Sequence, residues 1–413
     1  MEGVAKLILI SVNFTDYNPK NLMIAFEEAL NIVLSSAVQL DTETVLLEKS
    51  MNRILACDVF SDVDMPPFDK SAVDGYACRI EDISSPLSVI EVIKAGQVPV
   101  QTVGSRQCSK IMTGAMTPEG ADTVIMIEDT AGTTKGKIQF TGKKTAANIC
   151  KQAEDIRKGE KVLEKGTRIH PGHIAVLASV GCVMPMVYKQ PVVVVLSTGD
   201  ELVEPAETPK TSQIRNSNAV QLTAQIASIN AVPLYSGIVP DNEEQTRKAI
   251  EKALSEADVV LLTGGVSKGD FDFVPKILEE LNVEILFRSI AVQPGKPTVF
   301  GNRDGKYVFG LPGNPVSSFV QFEMLVKPLL FKISGHTYRP LEFKLPLLVD
   351  YTRKNYQRRA FVPVTFLQSD GVVPIEYHGS AHIHAYVAAD GVMSVPPGVS
   401  QLKKGDLVDV RSI

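Results

Sequence analysis

Apolar positions along the chain change their spacing three times, and each change marks a boundary. After Asn18-Pro19, which suits a helix cap and first turn, Leu22, Phe26, Ala29, Leu30 and Val33 recur at helical intervals. They predict an amphipathic helix to about Ala37. From about Asp58 to Val183 the apolar runs are short and broken by Gly, Pro and Thr, so this stretch reads as mostly β, with strands expected at 89–93, 123–127, 137–140 and 161–163 and a shorter one before it at 44–47. At Pro191 the texture changes again. The continuous run 192–196 ends in Ser197-Thr198-Gly199, as in a parallel strand buried on both faces. Helical patterns at 217–229, 241–257, 274–281 and 316–330 then alternate with strands at 234–239, 259–262 and 307–309. Beyond Pro340 only short strands are expected, at 345–349, 360–366, 372–376, 392–395 and 407–410.

The pattern predicts an α/β multidomain chain. Its parts are a mostly-β N-terminal subdomain (58–140) with a linker region (20–57 and 141–190), a central three-layer α/β domain with a parallel sheet (191–335) and a C-terminal all-β barrel (340–413). The length of 413 residues agrees with two to three domains at one per ~150 residues. With 42 Lys and Arg against 47 Asp and Glu the formal charge is −5, which disfavours nucleic acid as a partner. An anionic ligand must then be held by local groups. Five cysteines without a CxxC pair read as reduced thiols. The apolar run 7–10 is too short to span a bilayer, so no membrane partner and a cytoplasmic location are expected. His170, His173, His382 and His384 have no thiolate or carboxylate at ligand spacing, and packing or surface roles are expected for them.

Four segments hold more turn-forming, acidic and small polar residues than packing requires. The first is Pro66-Pro67-Phe68-Asp69-Lys70-Ser71-Ala72-Val73-Asp74-Gly75-Tyr76-Ala77, where two prolines stiffen a loop carrying Asp69, Ser71 and Asp74. Around Thr113 and Gly114 lies a second turn suited to hydrogen-bonding an anion. The third comprises Ser197-Thr198-Gly199-Asp200-Glu201-Leu202 and Thr263-Gly264-Gly265-Val266-Ser267, both at predicted strand ends of one sheet. Glycines there let successive N–H groups approach a phosphate, and Glu201, Asp241 and Asp272 are candidates to hold Mg²⁺. Neither turn is a GxGxxG or Walker loop. The fourth is Gln293-Pro294-Gly295-Lys296 with Gly310-Leu311-Pro312-Gly313-Asn314-Pro315, in which Lys296 offers a point charge to an oxyanion.

Taken together these segments resemble the molybdopterin molybdenumtransferase family, the bacterial MoeA proteins and the gephyrin E domain. The matching strings are PPFDKSAVDGYA (66–77), IMTGAMTPEGADTVI (111–125), AEDI (153–156), STGDEL (197–202), LLTGGVSKGDFD (261–272), PGKP (294–297) and GLPGNP (310–315), in the family's order. The resemblance implies a MogA/MoaB-like α/β domain. It implies Mg²⁺-assisted insertion of molybdate, or tungstate, into adenylylated molybdopterin with release of AMP. It also implies a homodimer with an active site shared between subunits, and molybdopterin adenylyltransferase as upstream partner.

By the family's motifs, Asp69, Thr113, Asp155, Glu201, Asp241 and Asp272 fall on catalytic positions, the last three on the nucleotide and metal side. Ser71, Asp74, Thr198, Gly264, Gly265, Ser267, Lys296, Pro312, Pro315, Arg359 and Ser380 fall on substrate-binding positions. The chain departs from the family pattern at Ala153, Ser289 and Gln293, where many relatives carry Gly, a basic residue and Lys. A molybdopterin adenylyltransferase or other nucleotide enzyme on the same α/β unit is the alternative reading, and a non-enzymatic dimeric scaffold ranks last.

Overall fold

The computed structural model describes residues 23–133, 136–265, 273–367, 371–377 and 379–413. Contacts divide the chain into two compact units. One runs over the described residues to Glu43, 52–54 and 188–413; the other comprises 44–51 and 55–187.

The smaller unit is built on a six-stranded sheet whose spatial order is Thr123–Met126, Gly75–Cys78, Gln107–Ile111, Leu87–Ile93, Lys137–Phe140 and Thr130–Gly132. Successive side chains of a strand point to opposite faces, and here both faces are covered. Ala77, Ile111 and Val124 pack on one side, Cys78, Cys108 and Ile125 on the other. Gly75–Cys78 and Gln107–Ile111 escaped the sequence reading because their Gly, Ser and Lys residues dilute the apolar signal. The capping box of the helix Pro171–Ser179 uses the His170 and His173 side chains, a packing role of the kind expected for these histidines.

In the larger unit Val232–Val239, Val192–Thr198, Val259–Thr263 and Lys306–Leu311 lie side by side and parallel. Val193, Val195, Leu261 and Phe309 face one layer of helices, which includes Ser217–Ser228 and Phe26–Ser35. Val194, Leu196, Val260 and Leu262 face the other, made by Glu243–Glu256 and Val274–Glu280. Each fully buried Val or Leu contributes roughly 1.5–3 kcal/mol, so an unbroken apolar run is stable only as an inner strand of this sandwich. Its carboxyl ends lie along one edge.

Three expectations change in detail. The sheet is mixed, because Val299–Arg303 runs antiparallel to Lys306–Leu311 and Glu284–Phe287 pairs antiparallel outside it. The hairpin turn explains this: Asp304 (φ 52°) and Gly305 (φ 79°) supply the two left-handed residues of a tight connection. The helix expected at 316–330 is Pro315–Gln321, a π-helical turn Phe322–Val326 and Lys327–Ile333. Pro328 has no N–H to give and its ring crowds the Met324 carbonyl, which forces the wider turn. The first helix spans Phe26–Ser35 with Ala25 at its cap; Asn18 and Pro19 lie outside the described residues.

The C-terminal strands order as Arg359–Leu367, Gly391–Val395, Leu407–Ser412 and Glu342–Pro346, with Val292–Gln293 and Gly371–Pro374 pairing along the other side of the first. A bridge between Leu347 and Val372 closes the ring into a small barrel. Its interior holds Ala360, Val362, Val364, Met393, Val408 and Val410. Among the described residues no helix is long and apolar enough to cross a membrane.

Candidate active site

In the smaller unit three motifs distant in sequence are laced into one rim. Asp69 is gripped through Oδ2 by the Lys151 ammonium at 2.9 Å and through Oδ1 by the Gln152 N–H at 2.8 Å. Those two bonds hold its carboxyl below its ordinary value of 3.8, with the Lys151 hydrogen bond the larger cause. The Asp69 carbonyl accepts from the Thr117 N–H, and the Ser71 carbonyl accepts from Gly114. Asp74 Oδ1 accepts from both the Thr113 N–H (2.6 Å) and the Thr113 hydroxyl (2.7 Å), and these lower its pKa in turn. The Ser71 hydroxyl is turned inward onto the Val73 carbonyl at 2.6 Å and the residue is buried. Asp155 is exposed, with its N–H donated to the Met65 carbonyl. Ala153 holds φ at +59°, a left-handed conformation that costs a side chain roughly 1–2 kcal/mol and which Gly would adopt freely. Asp69, Ser71, Asp74, Thr113 and Asp155 therefore share one rim. Lys151 belongs to it as well; the only signal was its place two residues before the AEDI string.

A second cluster stands at the carboxyl edge of the sheet in the larger unit. Thr198, Thr263 and Leu311 end three adjacent parallel strands. Gly264 (φ 91°) follows directly, and its N–H donates to the Leu311 carbonyl at 3.2 Å. A Cβ at Gly264 would stand 2.5 Å from the Thr198 carbonyl oxygen, and one at Gly265 3.2 Å from the Thr198 hydroxyl oxygen. Only glycines fit this closely against the neighbouring strand. The Glu201 carboxylate folds back over Gly199. Asp241, just past the next strand, receives Asp200 Oδ1 on its N–H at 3.1 Å.

Three further pieces reach this edge. Gly313 lies where a Cβ would be 3.8 Å from Gly264 Cα, which brings the Pro312–Pro315 turn onto the glycine pair. Asn314 of that turn donates to the Ser380 hydroxyl at 2.8 Å, and the Val316 N–H donates to the Ser380 carbonyl at 3.0 Å. Val299 pairs with Gly310, so the loop carrying the exposed Lys296 ends beside the same turn. Gln321 braces that loop by donating to the Pro294 carbonyl at 3.1 Å.

Thr198, Glu201, Asp241, Gly264, Gly265, Lys296, Pro312, Pro315 and Ser380 are thus brought to one edge, while Arg359 points elsewhere. Its guanidinium is bound by Ser394 and Glu27 and lines a cavity of about 300 Å³ with Phe26, Phe361 and Arg411. Arg358, its neighbour, reaches the Val292 carbonyl at 3.0 Å, next to Gln293, and sequence reasoning passed it over. Asn216 and Asn218 were also missed, since Asn in a predicted first turn reads simply as a cap. Ser267 and Asp272 lie outside the described residues. Among the described residues no three His, Cys, Asp or Glu side chains group closely enough to hold a metal alone.

Chemically, the larger unit's edge offers backbone N–H groups and a Lys for phosphate or oxyanion, with two carboxylates alongside. Two carboxylates suit a Mg²⁺ that completes its shell with water and substrate phosphate oxygens.

Comparison with known proteins covers nearly the whole chain. Three family profiles match in order: the MoeA N-terminal region (domain I and II) at 24–181, the probable molybdopterin binding domain at 194–332 and the MoeA C-terminal region (domain IV) at 344–413. A molybdopterin molybdenumtransferase of Staphylococcus epidermidis is 36% identical over 405 residues, 95% of this chain and 96% of that one. That of Bacillus subtilis is 35% identical over 409 residues, 95% of each. The crystal structure of a molybdopterin biosynthesis MoeA protein from Pyrococcus horikoshii superimposes with a TM-score of 0.81 at 30% identity, covering 95% of this chain and 100% of that chain.

Proposed function

The chain belongs to the molybdopterin molybdenumtransferase (MoeA) family and is a transferase of molybdenum cofactor biosynthesis, and from that premise we propose that it acts on adenylylated molybdopterin, transferring molybdate or tungstate into its dithiolene with release of AMP. The observation that carries this reading is the glycine pair at the strand ends. Gly264 and Gly265 sit against Thr198 with room for backbone but none for side chains, a cradle suited to a phosphate-bearing ligand. Both reactants are anions and the chain is itself net negative, so attraction must come from the Gly265 N–H and from Lys296, the Gly264 N–H being donated to the Leu311 carbonyl.

Glu201 and Asp241 would hold Mg²⁺ at the same edge, with Asp272 the third ligand that the family's motif offers. When bound, the ion neutralises phosphate charge as the anhydride P–O bond breaks. This chain's groups do the rest: the glycine turn orients the phosphates, Lys296 and Ser380 receive the oxyanion, and the Pro312–Pro315 turn walls the pocket. The rim carrying Asp69, Asp74, Thr113 and Asp155 completes the site from the second subunit of a homodimer. Support for such an assembly comes from the exposed Val232, Leu234 and Tyr235 on an edge strand of the sheet. Adenylylated pterin is supplied by a molybdopterin adenylyltransferase.

AMP release from adenylylated molybdopterin tests the reading, with Mg²⁺ and either molybdate or tungstate present. Release that requires both the metal ion and the oxyanion, with a metal-loaded pterin as product, is the expected result. Pterin that binds and stays adenylylated with Mg²⁺ and either oxyanion present would overturn it.

A further inference from the structure

The first turn of the helix Ser217–Ser228 carries two buried asparagines that belong to neither the metal side nor the anion cradle. Asn216 is 2% exposed. Its Oδ1 accepts from the Ser197 hydroxyl at 3.1 Å and from the Ala219 N–H at 3.3 Å, and Ser197 in turn accepts from the Thr263 hydroxyl at 3.0 Å. On its other side Asn216 donates to the Tyr235 hydroxyl at 3.0 Å, which donates onward to Glu204 at 2.7 Å. These bonds tie the helix start to the ends of two strands, immediately before Thr198 and Gly264. An amide in the middle of the run passes no proton, so its effect is positional.

Asn218 extends the same turn to a third piece. It is 8% exposed, and its Nδ2 donates to the Gly313 carbonyl at 2.7 Å, across 95 residues of sequence. Its Oδ1 is buried with no hydrogen-bond partner among the described residues. An amide half satisfied in a buried place, joining one helix start to the three-residue link between Leu311 and the helix that begins at Pro315, is a costly arrangement for packing alone. The loop it grips is the one whose Gly313 stands over Gly264.

We propose that Asn218 is a positioning residue for molybdopterin binding: its donated hydrogen bond sets the Pro312–Pro315 turn against the Gly264–Gly265 pair, so that the phosphate-bearing substrate meets a preformed wall. This rests on the functional reading above. The lysine loop is braced separately, by Gln321 on Pro294, so Asn218 governs the turn and leaves Lys296 in place; Ser380, bonded to Asn314 of that turn, is the one oxyanion group it reaches.

The test measures binding of adenylylated molybdopterin and the half-saturating molybdate concentration for AMP release, for the full chain and two variants, with melting temperatures alongside. Asn218→Ala removes the donor. Asn218→Asp keeps the shape but sets an acceptor against the Gly313 carbonyl. Both are expected to weaken binding of the adenylylated pterin about tenfold, with half-saturating molybdate changed less than that, because Lys296 stays in place. Equal molybdopterin affinity in wild type and both variants overturns the inference alone. So does an Asp variant that binds like wild type, which would mean that only the volume matters. A wild-type chain that binds no adenylylated molybdopterin overturns the functional reading and this inference with it.

Discussion

Replacing Gly264 with alanine probes how closely the strand ends must approach. The residue holds φ at 91°, where a side chain costs roughly 1–2 kcal/mol. The added Cβ would also stand 2.5 Å from the Thr198 carbonyl oxygen and 2.8 Å from its hydroxyl oxygen, both inside contact distance. Relieving that overlap shifts the backbone of one strand against its neighbour, an overpacking cost of about 1–3 kcal/mol. Together these amount to roughly 3 kcal/mol, or a fall of about 6–12 °C in melting temperature for a unit of this size. Gly313→Ala is the matched control: its Cβ would meet nothing closer than Gly264 Cα at 3.8 Å, and its φ lies outside the left-handed region. That variant should melt within about 2 °C of wild type, on the scale of an unstrained surface change. Differential scanning calorimetry of the two variants decides the matter. A Gly264→Ala protein melting within 2 °C of wild type, or a Gly313→Ala protein falling equally far, would show that the cradle is not closed by contact with Thr198.

Two further outcomes follow from the geometry. Because Lys151 is the larger cause of the depressed Asp69 carboxyl, Lys151→Met should move its titration upward toward 3.8, read by NMR of the side-chain carbonyl; an unmoved titration sinks the pairing. A depressed acid stabilises the fold above its ordinary value and loses that contribution only as pH falls through the lowered one, so the rim should be indifferent to pH between about 5 and 8. In the π-helical turn Glu323 is 7% exposed and accepts from Gln225 at 2.8 Å and Lys327 at 2.7 Å. Glu323→Ala strands both donors and should cost about 3 kcal/mol in urea unfolding, and a loss under 1 kcal/mol would mean that water replaces the carboxylate.

Local pattern was enough for much of the fold. Continuous apolar runs located the parallel strands at 192–196 and 259–262, because a strand covered on both faces favours apolar residues at every position. Departures came where backbone chemistry overrides the apolar period. Asp304-Gly305 turned the sheet edge into an antiparallel hairpin, and Pro328 opened a π turn inside a helix whose side-chain pattern is unbroken. Short strings with dense turn and acidic chemistry marked the candidate site residues, since such residues have little packing value of their own.

What the amino-acid order determined by itself, then, is the set of elements and the chemical inventory: glycines at strand ends, carboxylates beside them, a lysine between prolines. Only the tertiary structure decided which of these meet. Ser380 came to Asn314 through a side-chain bond spanning 66 residues, and Arg359, one position along from Arg358, was turned toward Glu27 and Ser394 instead of the sheet edge. Arg358 precedes the strand that Arg359 opens, so no periodicity relates the directions of the two side chains. The two asparagines of one helical turn make the same point. Their partners lie as far as 95 residues away, and a hydrogen bond across that separation exists only once the sheet has been assembled.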